Sequence, residues 1–155
     1  MTNPARSPVA AEAVRDIVVE EVLPHRPEKV WHALTSSDLI ARWLMPNDFE
    51  PVLGKRFTFR TDPMGSWDGV IHCQVLEIVP PKRIVYSWKG GAADNPKYGS
   101  LLDTTATWTL EPVGQGTRIK LVHAGFRTPA NDHAYQAMSS GWGKVIQRIS
   151  EIAAD

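Results

Sequence analysis

Apolar residues recur along the chain with two different periods. From Asn131 to Ala153 they fall at Ala134, Met138, Trp142, Val145, Ile149 and Ile152. Steps of three and four place them on one face of a helix. Asn131 or Asp132 is placed to cap its start. At 1.5 Å per residue this helix of about 20 residues is roughly 30 Å long. Gly141 and Gly143 bracket Trp142. Glycine inside a helix costs about 1 kcal/mol relative to alanine, so a close approach or a bend is expected there.

Most of the remaining chain alternates with a period of two. Arg15–Leu23 reads as strand one, bounded by Pro24. Pro27 opens a short helix to Leu34. Thr35, Ser36 and Ser37 offer a cap for a second, about Asp38–Leu44, which Pro46 stops. Phe49–Leu53 reads as a short strand. Lys55–Thr61 alternates, with Phe57 and Phe59 on one face. Trp67–Val79 reads as a long strand whose apolar parity shifts beyond Val75, which predicts a bulge there. Arg83–Trp88, Leu102–Leu110 and Thr117–Phe126 complete the strands. Lys89–Ser100 is a Gly- and Pro-rich loop. Short connections make the strands antiparallel neighbours. The one-sided parity calls for a cover, and the last helix is the one available. Residues 1–14 read as a loose tail, and residues 15–155 as a single domain.

Composition narrows the function classes. The chain has 155 residues, with 17 basic and 17 acidic side chains. No net positive field favours nucleic acid or an anionic membrane surface. One cysteine, Cys73, excludes an intrachain disulfide framework. No run of about 18 apolar residues and no leader appears, so no membrane insertion is expected and a cytoplasmic location is. The five histidines show no metal-ligand spacing. No phosphate-binding glycine loop or nucleophile elbow is present. No metal, no cofactor and no catalytic residue is assigned.

In order and spacing, the motifs are similar to one family. They are Pro27-x-x-Val30-Trp31-x-Ala33-Leu34-Thr35, Trp43, Gly54-x-x-Phe57, and the run Val75-Leu76-Glu77-Ile78-x-Pro80-Pro81-x-Arg83-Ile84-Val85-Tyr86-Ser87-Trp88. They continue through Thr105-x-Thr107, Gly116-Thr117-Arg118-Ile119 and Gly125-Phe126 to Gly141-Trp142-x-x-Val145. Over about residues 15 to 153 the chain resembles the SRPBCC (START-like, helix-grip) superfamily, in the branch related to the C-terminal domain of the activator of Hsp90 ATPase. It departs from that pattern at Lys55 and at Cys73, which would narrow any hollow there. The resemblance implies an α+β helix-grip fold, also called Bet v1-like. In it a curved antiparallel sheet of six or seven strands wraps the C-terminal helix, with two short helices after strand one. It also brings a stress-response setting. The Hsp90 activator has a further N-terminal domain with no counterpart expected here, so Hsp90 is not expected as a partner. A homodimer is left open.

The aromatic residues are the informative constellation. Six tryptophans are spread over nearly every element, and indoles combine apolar area with one polar handle. The expected ligand-binding set is Trp43, Phe59, Trp67, Ile71, Tyr86, Trp88, Trp108, His123, Met138 and Trp142, with Phe57 beside it. The alternative is that these rings fill a closed core. The function expected is non-catalytic binding of a small hydrophobic molecule, a lipid, polyketide or flavonoid-like aromatic, between sheet and helix. Two alternatives stand beside it. One is a polyketide cyclase or dehydratase, which would use His123, Tyr86 or Glu77. The other is a co-chaperone-like interaction module. His123 can equally be a hydrogen-bonded core histidine, and Glu77 an ion-paired surface residue.

Overall fold

The computed structural model describes residues 13–155. The expected tail therefore lies outside the described residues up to residue 12, and Val14 already belongs to the first strand. In chain order the elements are β1 (Val14–Leu23), α1 (Pro27–Leu34), α2 (Ser37–Trp43), β2 (Arg56–Arg60), β3 (Val70–Val79), β4 (Arg83–Gly90), β5 (Leu102–Val113), β6 (Gly116–Arg127) and α3 (Asp132–Ala153). The strands form one six-stranded sheet in the order β1-β6-β5-β4-β3-β2, every neighbouring pair antiparallel. This is the helix-grip architecture, α+β, with the sheet curved over α3.

Side-chain alternation decides what faces α3. On β5, Leu102, Thr104, Ala106, Trp108 and Leu110 are buried while the residues between them are not. On β6, Ile119, Leu121 and His123 do the same. The helix supplies Ala134, Met138, Trp142, Val145, Ile146, Ile149 and Ile152 to the same core. The expected shift in β3 is present as a break in register between Val75 and Glu77. It returns Glu77 to the surface, where the carboxylate pairs with Arg83 at 3.1 Å.

Three local expectations are corrected. Phe49–Leu53 is not a strand. The chain just before it bridges to β2 at Asn47, opposite Phe59, and the Asn47 side chain then turns the backbone by accepting from Phe49 N and donating to Met45 O. Phe49 is buried against Phe57 and Tyr86 all the same. Asn131 makes no side-chain cap on α3. Its amide accepts from Arg127 N and donates to Ser100 Oγ and Leu101 O, so it fastens the β6–α3 turn to the start of β5. The glycines of α3 mark no close approach, since a Cβ at Gly141 or Gly143 would meet no atom within 4 Å. Gly91, by contrast, needs its freedom. Its φ is +100°, and a Cβ there would stand 2.1 Å from Ser100 O, where the β4–β5 loop closes on itself.

Candidate functional site

The middle of the sheet–helix interface is filled by rings. Trp43 meets Trp108 edge-on at 5.8 Å, and Trp142 meets both Trp108 and Trp88 at 5.7 Å. Phe59 lies 5.2 Å from Trp88. Edge-to-face contacts at these separations stabilise beyond area burial alone. Three of the four indole N–H groups in this cluster are satisfied, those of Trp43, Trp108 and Trp142. The Trp43 indole donates to Ala33 O at 2.8 Å, and that of Trp108 to Tyr86 Oη at 2.9 Å. Burial raises the Tyr86 pKa, so the phenol remains protonated.

His123 is fully buried and belongs to this network. Trp142 Nε1–H can only donate, so Nδ1 of His123, 3.1 Å away, accepts. The ring proton then sits on Nε2, which donates to Thr104 Oγ1 at 2.9 Å, and Thr104 in turn donates to Trp88 O at 2.7 Å. Burial pushes the His123 pKa down to about 3, so the ring is neutral. Its hydrogen-bond partners are an indole and a hydroxyl, not an acid. Glu77 lies outside, ion-paired at the surface. Among the described residues no three His, Cys, Asp or Glu side chains gather as a metal site.

Open space remains at the flank of this cluster. An apolar cleft of about 100 Å³ runs along α3, lined by Ala137, Met138, Gly141, Trp142 and Val145. Trp88 of β4, Leu44 and Met45 just after α2, and Tyr98 of the β4–β5 loop form its other walls. A void of about 10 Å³ adjoins it, lined by Trp67, Ile71, Gly90 and Leu102 among others and sharing Trp88, Tyr98 and Met138 with the cleft. The Tyr98 phenol is held above its usual pKa by burial, so no group lining the cleft is charged at neutral pH.

The expected site set therefore divides. Trp88, Met138 and Trp142 line the cleft. Trp67 and Ile71 line the small void, and Trp67 also borders a separate surface hollow with Asp68 and His72. Trp43, Phe59, Tyr86, Trp108 and His123 pack in the core instead, their ring edges and polar atoms taken up by neighbouring groups there. Sequence reasoning did not assign Leu44, Met45, Tyr98, Gly141 or Val145 to a site. Gly141 carried a signal, an unexplained glycine on a helix that also presents Met138, Trp142 and Val145. Tyr98 carried none, since its loop has no periodicity to orient it.

The trimmed indoles leave one exception. Trp88 is 1% exposed, yet its Nε1 has no hydrogen-bond partner among the described residues. An indole N–H buried without an acceptor costs about 1–3 kcal/mol, and Trp88 borders both the cleft and the void.

Comparison with known proteins sets this geometry in context. Residues 24–154 match the family described as Activator of Hsp90 ATPase homolog 1-like protein. The crystal structure of protein MLL2253 from Mesorhizobium loti is 37% identical, with 89% of this chain and 96% of that one covered and a TM-score of 0.79. The Aha1 dimer from Colwellia psychrerythraea is 20% identical over 88% of this chain and 94% of its own, with a TM-score of 0.67. DynU16, from the dynemicin biosynthetic locus, is 18% identical over 88% of this chain and 46% of its own, with a TM-score of 0.68. The last two likenesses concern the fold alone. No curated protein matches the chain by sequence.

Proposed function

We propose that this chain, which belongs to the Activator of Hsp90 ATPase homolog 1-like family, binds a small apolar molecule without transforming it, in the cleft between α3, Trp88 and Tyr98. The observation that carries this reading is the cleft itself. It is walled by Trp88, Trp142, Met138, Val145, Leu44 and Met45, and it stays open where Gly141 withholds a side chain.

Its size limits the ligand. Drug-sized pockets span about 300–1,000 Å³, whereas an apolar protein cavity of about 150 Å³ accommodates benzene. At about 100 Å³ with an open side, the cleft suits one ring or a short branched chain. A polyketide, flavonoid-like or lipid molecule would seat one end here and leave the rest outside. The lining offers no carboxylate, imidazole or amine for proton transfer, which favours binding over a cyclase or dehydratase reaction.

Fluorescence titration tests the reading, because Trp88 and Trp142 flank the cleft. Toluene, short-chain fatty acids and single-ring phenols form the first panel, followed by flavonoids. Saturable quenching that disappears in a folded Gly141→Leu protein supports the cleft as the site. A flat response in the wild-type protein across the panel defeats it.

A further inference from the structure

We infer that the ligand is amphipathic, with its apolar end in the cleft and an uncharged, hydrogen-bonding head in the polar groove on the other side of Tyr98. This deepens the cleft-binding reading and rests on it. The groove is about 460 Å³, against about 100 Å³ for the cleft, and its lining includes Ser66, Asp94, Lys97 and His133. Tyr98 is a wall of both. The helix joins them as well. His133 borders the groove, while Ala137, Gly141 and Val145 border the cleft. Their four-residue spacing puts them in one row along α3, each about 6 Å beyond the last. Tyr98 is fixed beside this row. Its ring meets Trp67 at 6.2 Å, and the neighbouring Asn95 amide donates to Met64 O and accepts from Lys97 N. A Cβ at Gly99 would stand 2.7 Å from that amide nitrogen, so the loop is packed closely where it carries Tyr98.

The two regions differ in chemistry. The cleft is hydrocarbon, thioether and ring. In the groove, the side chains of Ser66, Asp94, Lys97 and His133 are exposed and make no hydrogen bond or ion pair among the described residues. The Tyr98 hydroxyl at the boundary is likewise without a partner among them, and a phenol both donates and accepts. Lys97 and Asp94 set the charge of the head. An anion would gain the ammonium and meet the carboxylate, and a cation the reverse, so neither sign gains a net attraction. A hydroxyl or amide accepts from Lys97 and donates to Asp94, and finds further partners in Ser66 and His133. The distance between ring and head follows from the row on α3. One helical turn, about 6 Å, separates His133 from Ala137, about the reach of a four-carbon chain.

Butylbenzene and phenylbutanol, whose hydroxyl is at the far end of the chain from the ring, test this by fluorescence titration. An apolar cleft alone ranks them by hydrophobicity, with butylbenzene the tighter. The groove reverses that order, and phenylbutanol is expected to bind about fivefold tighter, the ratio one net hydrogen bond supplies. Phenylbutyrate and phenylbutylamine, the charged counterparts, are expected to bind more weakly than the alcohol. In the ¹⁵N-labelled protein, the backbone amide signals of Lys97 and His133 should move with phenylbutanol and stay in place with toluene, which fills the cleft alone. Lys97 and His133 are exposed, so a protein carrying both Lys97→Ala and His133→Ala should fold, bind toluene as before and lose the preference for the alcohol. Tighter binding of butylbenzene, unmoved Lys97 and His133 signals with the alcohol bound, or a preference that survives the double substitution overturns the inference and leaves the apolar cleft standing. A charged counterpart that binds more tightly than the alcohol overturns the uncharged head. Failure of every compound to bind, toluene included, removes the cleft reading and this inference with it.

Discussion

The indole of Trp142 on α3 donates its N–H to Nδ1 of His123 on β6, 3.1 Å away. That one bond fixes the tautomer of a fully buried histidine. It also ties the long helix to the sheet and starts the chain of donors that ends on the carbonyl of Trp88. A second proton on His123 would place N–H against N–H at Trp142.

The first prediction concerns acid. The folded pKa of His123 is about 3, below its ordinary value near 6.5. Below pH 6.5 the unfolded chain takes up a proton that the native protein refuses, so stability falls as pH falls. Its contribution is complete above about 6.5 and is lost progressively toward pH 3, at up to about 1.4 kcal/mol per pH unit. Urea denaturation at a series of pH values should show this slope. His123→Gln retains an acceptor for Trp142 and a donor for Thr104. Its curve should lack that part of the slope, while the carboxylate contributions common to both proteins cancel in the difference.

The hydroxyl of Thr104 is the second link. It accepts from His123 and donates to Trp88 O, inside the core. Thr104→Val keeps the shape and strands both partners. It should destabilise by about 1–3 kcal/mol, whereas Thr104→Ser should lose less. A Thr104→Val loss near zero would show that the hydroxyl contributes nothing, and equal losses that it contributes no more than the methyl group.

The legibility of this protein in its sequence follows the distinction between periodic and non-periodic segments. Val30, Trp31 and Leu34 read as one side of α1, of which Val30 and Leu34 are buried with Ala33 while Trp31 is only half-buried, and Ile119, Leu121 and His123 read as one face of β6 and are all buried, because regular backbone fixes which side chains agree. The parity change after Val75 even located a bulge. Periodicity could not say how far the inward rings close on one another. Trp43, Phe59, Tyr86 and Trp108 read as pocket lining from their strand or helix faces, and in the structure they are buried in one shared core. The cleft lies where regular elements end: after α2 at Leu44 and Met45, and at Tyr98 in a loop held by Asn95, whose amide reaches Met64 O and Lys97 N. Such long-range side-chain clasps leave no repeat in the sequence.

Cys73 supplies a third prediction. It is buried at 4% exposure, and burial pushes its thiol well above the usual range, which suppresses the reactive thiolate. The native protein should leave a thiol reagent such as dithionitrobenzoate unconsumed at pH 8, and one thiol should react promptly in urea. Rapid reaction without denaturant would mean that the β2–β3 side of the core opens readily.

The two glycines of α3 give the last prediction, and the sharpest test of the cleft. Neither has a positive φ recorded, and a Cβ at either meets no atom within 4 Å. Helix propensity therefore acts without steric opposition, and alanine at either position should stabilise the fold by up to about 1 kcal/mol. The positions differ in one respect, that Gly141 lines the cleft and Gly143 does not. Gly141→Ala should raise the melting temperature and weaken a bound single-ring compound several-fold, because the new methyl group occupies space the ligand needs. Gly143→Ala should raise it similarly and leave binding unchanged. Thermal melts and titrations on the two variants check both halves. Equal affinity in both would mean that the ligand does not lie against Gly141. A loss confined to Gly141→Ala would identify this glycine as a position where stability yields to an open binding surface.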